Sequence, residues 1–115
     1  MSLESSFQDP HPEIRVFSLQ GRLDATGGIE VYDSLRENLE GRLQIVLDLS
    51  GVDYMSSGGL SIIIRLVHHL RERGGDLHLA SPSPFVKNVF DIVSFDAILK
   101  IFDHVDLAVA AFEAS

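Results

Sequence analysis

Ile45-Val46-Leu47-Asp48-Leu49-Ser50-Gly51-Val52-Asp53-Tyr54-Met55-Ser56-Ser57-Gly58-Gly59-Leu60 decides how the rest of the chain is read. Ile45 to Leu49 is a short run of β-branched residues and leucine, long enough for a buried strand and too short for a helix. Ser50 to Tyr54 is expected to turn, with Val52 pointing inward. Ser56-Ser57-Gly58-Gly59 stands directly before an apolar helical pattern that opens at Leu60. Serine favours the position before a helix because its hydroxyl accepts a hydrogen bond from a helix-start N–H that has no intrahelical partner. The stretch is thus predicted as strand, loop and capped helix start. It brings two hydroxyls to the positive end of a helix dipole, where free N–H groups converge.

Downstream, the helix is predicted to run from Leu60 to about Arg73. Its core stripe is Leu60, Ile63, Ile64, Val67 and Leu70, widened by Ile62 and Leu66, and Gly74-Gly75 stop it. Leu77 and Leu79 alternate with polar residues in a strand over Asp76 to Ala80. Ser81-Pro82-Ser83-Pro84 turns into a third helix, Phe85 to about Val93, with Phe85, Val89 and Ile92 on one face. Ile98 to Phe102 reads as a last strand and Val105 to Phe112 as a last helix, with Asp103 or Asp106 near its start.

Upstream, Met1 to Pro12 reads as a loose N-terminus with at most a short edge strand from Leu3 to Gln8. Residues 13–115 form the domain. Ile14, Phe17 and Leu19 mark a strand from about Glu13 to Gln20. Val16 breaks its alternation, as expected if both faces are partly covered. Gly21-Arg22-Leu23-Asp24 is predicted to turn, and Asp24 or Thr26 to cap a helix to about Glu40 with Ile29, Tyr32, Leu35 and Leu39 inward. Alternating helices and strands imply an α/β fold: one small mixed sheet with parallel pairs, packed against about four helices. Leu47, Leu49, Val52, Leu60, Ile63, Ile64, Val67, Leu77 and Leu79 are expected in one core.

Composition narrows the function. The 115 residues are 45% hydrophobic and 23% charged, as in a soluble globular domain. No apolar run is long enough to span a membrane; Ile62-Ile63-Ile64 is cut at Arg65. The first residues lack a secretory pattern. The absence of cysteine excludes disulfides and thiolate metal sites and fits the cytoplasm. A net charge of −8 argues against nonspecific nucleic-acid binding and favours a protein partner with a basic face.

The candidate chemistry is sparse. His68 and His69 are neighbours, so on a helix they point apart, whereas a shared metal wants three- or four-residue spacing. His11, His78 and His104 fall on separate elements, so surface or half-buried histidines are expected, with no metal and no cofactor. Tyr54 and Met55 precede the serines where a G-x-S-x-G nucleophile turn would need glycine, although chain order alone does not exclude a triad. Ser57-Gly58-Gly59 lacks the spacing and lysine of a P-loop. Taken by themselves, the residues favour plain helix capping and leave the function open.

A family resemblance takes the reading further. Val52-Asp53-Tyr54-Met55-Ser56-Ser57-Gly58-Gly59-Leu60 resembles the signature of the bacterial anti-sigma factor antagonists, founding members of the STAS domain family. Gly21-Arg22-Leu23-Asp24, Ile45 to Ser50, Gly74-Gly75 and Ser83-Pro84-Phe85-Val86-Lys87-Asn88-Val89-Phe90 resemble its other segments in the right order. The resemblance implies a non-enzymatic, cytoplasmic antagonist that binds an anti-sigma factor, usually a serine kinase, and so releases a sigma factor. The kinase phosphorylates a hydroxyl at the start of the second helix, the complex separates, and a phosphatase resets it. By this resemblance, Asp24, Met55, Ser56, Ser57, Gly58, Gly59 and Leu60 form the partner surface. The family's usual Met-Asp-Ser-(Ser or Thr)-Gly-Leu departs here, because Ser56 replaces the aspartate and Gly58 stands where the acceptor hydroxyl is expected. Either Ser57, with Ser56 second, is then the acceptor, or the protein binds without being switched in the usual way. Gly58→Ser is expected to restore a fast acceptor, and Gly59→Arg to block binding without harming the fold. The alternative is an adaptor subunit of a membrane lipid-transport complex, in which the serines only cap.

Overall fold

The computed structural model describes residues 3–114; Met1, Ser2 and Ser115 lie outside them. In chain order the elements are β1 (Glu4–His11), β2 (Ile14–Leu23), α1 (Ala25–Glu37), β3 (Gln44–Met55), α2 (Ser57–Arg71), β4 (Asp76–Ala80), α3 (Pro84–Ile92), β5 (Lys100–Phe102) and α4 (Val105–Glu113). A short 3-10 turn, Phe95–Ala97, precedes β5. The strands form one sheet in the order β1-β2-β3-β4-β5. β1 is antiparallel to β2, and the remaining pairs are parallel.

Side-chain alternation along β3 divides the interior. Ile45, Leu47, Leu49 and Val52 enter the main core with Val31 and Leu35 of α1, Ile63 and Val67 of α2, and Val86 and Phe90 of α3. Val46 points the other way and joins Ile14, Val16, Ala80, Ala108 and Phe112 beneath α4. Three crossovers stepping in one direction along the sheet place their helices on the same face, as uniform handedness requires. α4, which follows the last strand, covers the opposite face. The broken alternation of β2 has this cause: Ile14 and Val16 serve one layer, Phe17 and Leu19 the other.

Several local expectations are corrected. The expected turn at Ser50 to Tyr54 is strand: β3 continues to Met55 beside a β2 that continues to Leu23, with register irregularities between Ser18 and Gln20 and between Gly21 and Arg22. The bulged pairing absorbs Gly21 and Ser50-Gly51 without ending either strand. The N-terminal segment takes the edge-strand alternative and carries it further than expected, from Glu4 to His11. Arg15, buried on β2, donates to both carboxylate oxygens of Asp9 on β1, at 2.6 and 2.8 Å, and to the Asn38 carbonyl, while its guanidinium lies 4.0 Å from the Phe7 ring centroid. These charge-assisted bonds pin the edge strand.

Helix faces also rotate relative to the expected stripes. α1 buries Gly27, Gly28, Val31 and Leu35 and exposes Ile29. α2 centres on Ile62, Ile63, Leu66, Val67 and Leu70, leaving Leu60 and Ile64 half-buried at the rim. α3 buries Val86 and Phe90 and turns Phe85 and Ile92 outward. His104 occupies the position before α4, without a side-chain capping bond, and Asp106 lies in the first turn, near the helix start as expected.

Candidate functional site

β2 and β3 end side by side, and each runs into a helix. Leu23 pairs with Met55. The Ser56 N–H donates to the Leu23 carbonyl at 3.1 Å, so the residues preceding α1 and α2 are locked together. Asp24 caps α1, its Oδ1 accepting from the Gly27 N–H at 2.9 Å. Ser56 caps α2, its Oγ accepting from the Gly59 N–H at 3.3 Å. Two helix starts therefore open at one corner of the sheet, and their free N–H groups and dipoles favour negative charge there.

Neighbours decide what each candidate residue presents. Ser56 is half-buried and its hydroxyl is used in the cap. Ser57, the first residue of α2, is exposed, and its hydroxyl makes no hydrogen bond among the described residues. Gly58 is half-buried against α1; a Cβ there would lie 2.7 Å from the Ala25 Cβ and 2.9 Å from the Ala25 nitrogen. A Cβ on Gly59 would strike the Leu23 carbonyl oxygen and lie 3.0 Å from the Met55 sulfur. Met55 and Gly59 are buried, which corrects their assignment to the contact surface: they support the loop from beneath. Asp24 and Leu60 are half-buried at the margin.

The residues that sequence reasoning missed lie next to this corner. The Arg22 guanidinium sits 3.9 Å from the Tyr54 ring centroid, and Tyr54 stacks on Phe85 at 6.3 Å and 18°. Ser83, the cap of α3, donates from its hydroxyl to the Val52 carbonyl at 3.4 Å and so ties α3 to the end of β3. Phe85 and Ile92 are 52% and 73% exposed, which makes the outer side of α3 an apolar ridge. The signal was present as an apolar set on two sides of one short helix: with Val86 and Phe90 buried, Phe85 and Ile92 have no core left to enter.

The histidines do not meet, and among the described residues no group of three or more His, Asp or Glu is placed to hold a metal. His68 and His69 belong to the outer side of α2. His78 is buried, beyond the surface or half-buried position expected. Its ring stacks on Phe112 with centroids 3.6 Å apart, and its Nδ1–H donates to the Ala108 carbonyl at 3.0 Å. Burial holds its pKa below the usual histidine value.

A model of the STAS domain matches residues 9–108. BtrV of Bordetella bronchiseptica, named as an anti-sigma factor antagonist, is 32% identical over 98 residues, which cover 84% of each chain. The crystal structure of a Thermotoga maritima protein named in the same way superposes with a TM-score of 0.84 at 21% identity, covering 93% of this chain and 92% of that one. The Bacillus cell-fate determinant SpoIIAA in its phosphorylated form gives 0.70 at 18% identity, covering 95% and 99%. At these identities the two structures speak to the fold alone.

Proposed function

This chain belongs to the STAS domain family, and we propose that within it the protein is an anti-sigma factor antagonist that works by binding, not by catalysis. The observation that carries the reading is the exposed hydroxyl of Ser57, without a hydrogen bond among the described residues, at the corner where α1 and α2 both begin. The identity with BtrV over most of the chain supports it. The partner is an anti-sigma factor with serine kinase activity. It docks on the corner formed by Asp24, Ser56, Ser57, Gly58 and Leu60, and on the Tyr54–Phe85 stack beside it. Binding occupies the anti-sigma factor and releases its sigma factor in the cytoplasm.

Ser57 is the phosphoacceptor in this proposal. Ser56 is second because its oxygen already accepts from the Gly59 N–H. A phosphate on Ser57 adds about −1.5 to −2 charges to a chain whose net charge is already −8. The helix-start N–H groups hold it on the antagonist, and the same charge penalises burial against an apolar or acidic partner. A phosphatase restores the binding form.

The test is capture of partners from native cytosol, identification of the bound proteins, and mass spectrometry of the antagonist after incubation with the captured kinase and ATP. Recovery of an anti-sigma factor and phosphate on Ser57 are expected. Recovery of transporter subunits would establish the adaptor role instead. Phosphate on Ser56, or full phosphorylation of Ser57→Ala, would refute the choice of acceptor.

A further inference from the structure

Tyr32 on α1 lies under two guanidinium groups, Arg36 at 5.4 Å and Arg65 of α2 at 4.9 Å from its ring centroid. His69 approaches the same ring edge-on at 6.1 Å, and Arg73 donates to the His69 carbonyl at 3.0 Å. Two hollows of about 320 and 420 Å3 run along this groove and share His69 and Arg73. Glu72, Asp33 and Glu37 border it, yet among the described residues none of the three arginines forms an ion pair. His69 registers the resulting field: burial first, then Arg73 and Arg36, hold its pKa below the usual value, with only Glu72 opposing. Elsewhere Arg15, Arg42, Arg71 and Lys87 are matched to carboxylates, while Arg22 and Lys100, like the three groove arginines, form no ion pair among the described residues. An acidic chain has thus gathered three arginines without a carboxylate partner, among the described residues, on the outer seam between α1 and α2.

We infer that the α1–α2 groove around Tyr32, Arg36, Arg65, His69 and Arg73 is a second docking surface, built for an acidic helical segment of a protein partner. Stacking on Tyr32 fixes the guanidinium planes while leaving N–H edges for carboxylates. Arg65 on α2 and Arg73, in the turn that follows it, stand eight residues apart, about 12 Å at helical rise. One bidentate guanidinium satisfies a single phosphate, whereas a row of this length matches carboxylates repeating every four residues on a facing helix. The surface starts about 12 Å along α2 from Ser57, so it is separate from the corner described above and does not depend on the reading of that corner.

The test is a titration of the isotopically labelled full chain with an alanine-based helical peptide carrying glutamate at every fourth position, followed by NMR. The amides of Tyr32, Arg65 and His69 are expected to shift at low ionic strength and to return at high salt, where exposed charges are screened. Arg36→Ala/Arg65→Ala/Arg73→Ala should weaken binding at least tenfold with an unchanged melting curve, because all three side chains are exposed. If the triple variant melts early, Arg65→Ala alone decides by the same shifts. The proposal is overturned by shifts elsewhere or none, by unchanged binding of the variants, or by inorganic phosphate moving the same amides at equal concentration. That last result would mark a site for single oxyanions.

Discussion

Gly58 and Ala25 hold the two helix starts at contact distance: a Cβ on Gly58 would lie 2.7 Å from the Cβ of Ala25. The position where the family resemblance places an acceptor hydroxyl therefore has no room for a side chain while α1 begins where it does. Ala25 and Gly58 act as a matched pair, and Ser57, one residue earlier, keeps the exposed hydroxyl.

Gly58→Ser should consequently cost stability and not simply restore an acceptor. Overpacking of this kind costs about 1–3 kcal/mol. The double variant Gly58→Ser/Ala25→Gly should recover only part of the loss, because it removes the Cβ at 2.7 Å but leaves the Ala25 nitrogen and Cα at 2.9 Å. Urea unfolding of the four proteins of this cycle measures the coupling. Additive losses would mean that the clash is relieved in some other way.

Gly59→Ala should destabilise as well, by roughly 1–3 kcal/mol. Its Cβ meets the Leu23 carbonyl oxygen, a backbone atom that already accepts from Ser56 and cannot rotate aside. Gly59→Arg is thus not the clean interface probe that the sequence implied. Thermal melting of both variants checks this; wild-type melting temperatures would contradict the close approach.

Leu47→Ala tests the core. Leu47 sits at 0% exposure on β3, in the core cluster to which α1, α2 and α3 all contribute. The expected cost is about 2–5 kcal/mol, because the surrounding side chains cannot collapse fully into the void. A loss below 1 kcal/mol, read by denaturant unfolding, would contradict a rigid site there.

His78 makes stability pH-dependent. Its folded pKa is below 6.5, the ordinary value, through burial. The unfolded state therefore binds more protons between that lowered value and about 6.5. The stability contribution is complete above about 6.5 and declines as pH falls through the folded pKa. His69 shifts in the same direction and adds to the slope. His78→Phe should flatten the decline, which urea midpoints across this pH range will show. An unchanged slope would exclude His78 as a source.

Much of this architecture was legible because the chain punctuates itself. Gly74-Gly75 ends α2, Ser83-Pro84 starts α3, and the Ile45 to Leu49 run can only be a buried strand. What failed had a common physical origin. Ser50-Gly51 looks like a turn locally, but a bulged parallel partner lets β3 continue through it. Ile29, Phe85 and Ile92 look like core positions by spacing, yet Gly28 lets α1 approach Ile62 of α2 while Gly27 lies against the Arg22 carbonyl, and Val86 and Phe90 already fill the space under α3. At the site, local sequence identified Ser56 as a cap. Only tertiary contact, with Ala25 against Gly58 and Leu23 against Gly59, separates exposed from buried residues in that loop. Arg36, Arg65 and Arg73 are scattered in sequence and meet only through the packing of α1 on α2.

The central claim is that the corner at Ser57 binds an anti-sigma factor and is switched by negative charge. Titration calorimetry of wild type and Ser57→Asp against the captured anti-sigma factor tests it most directly. Wild type should bind, and Ser57→Asp should bind at least tenfold more weakly, a difference of about 1.4 kcal/mol, with its melting temperature preserved. Equal affinity for the two folded proteins would contradict the account.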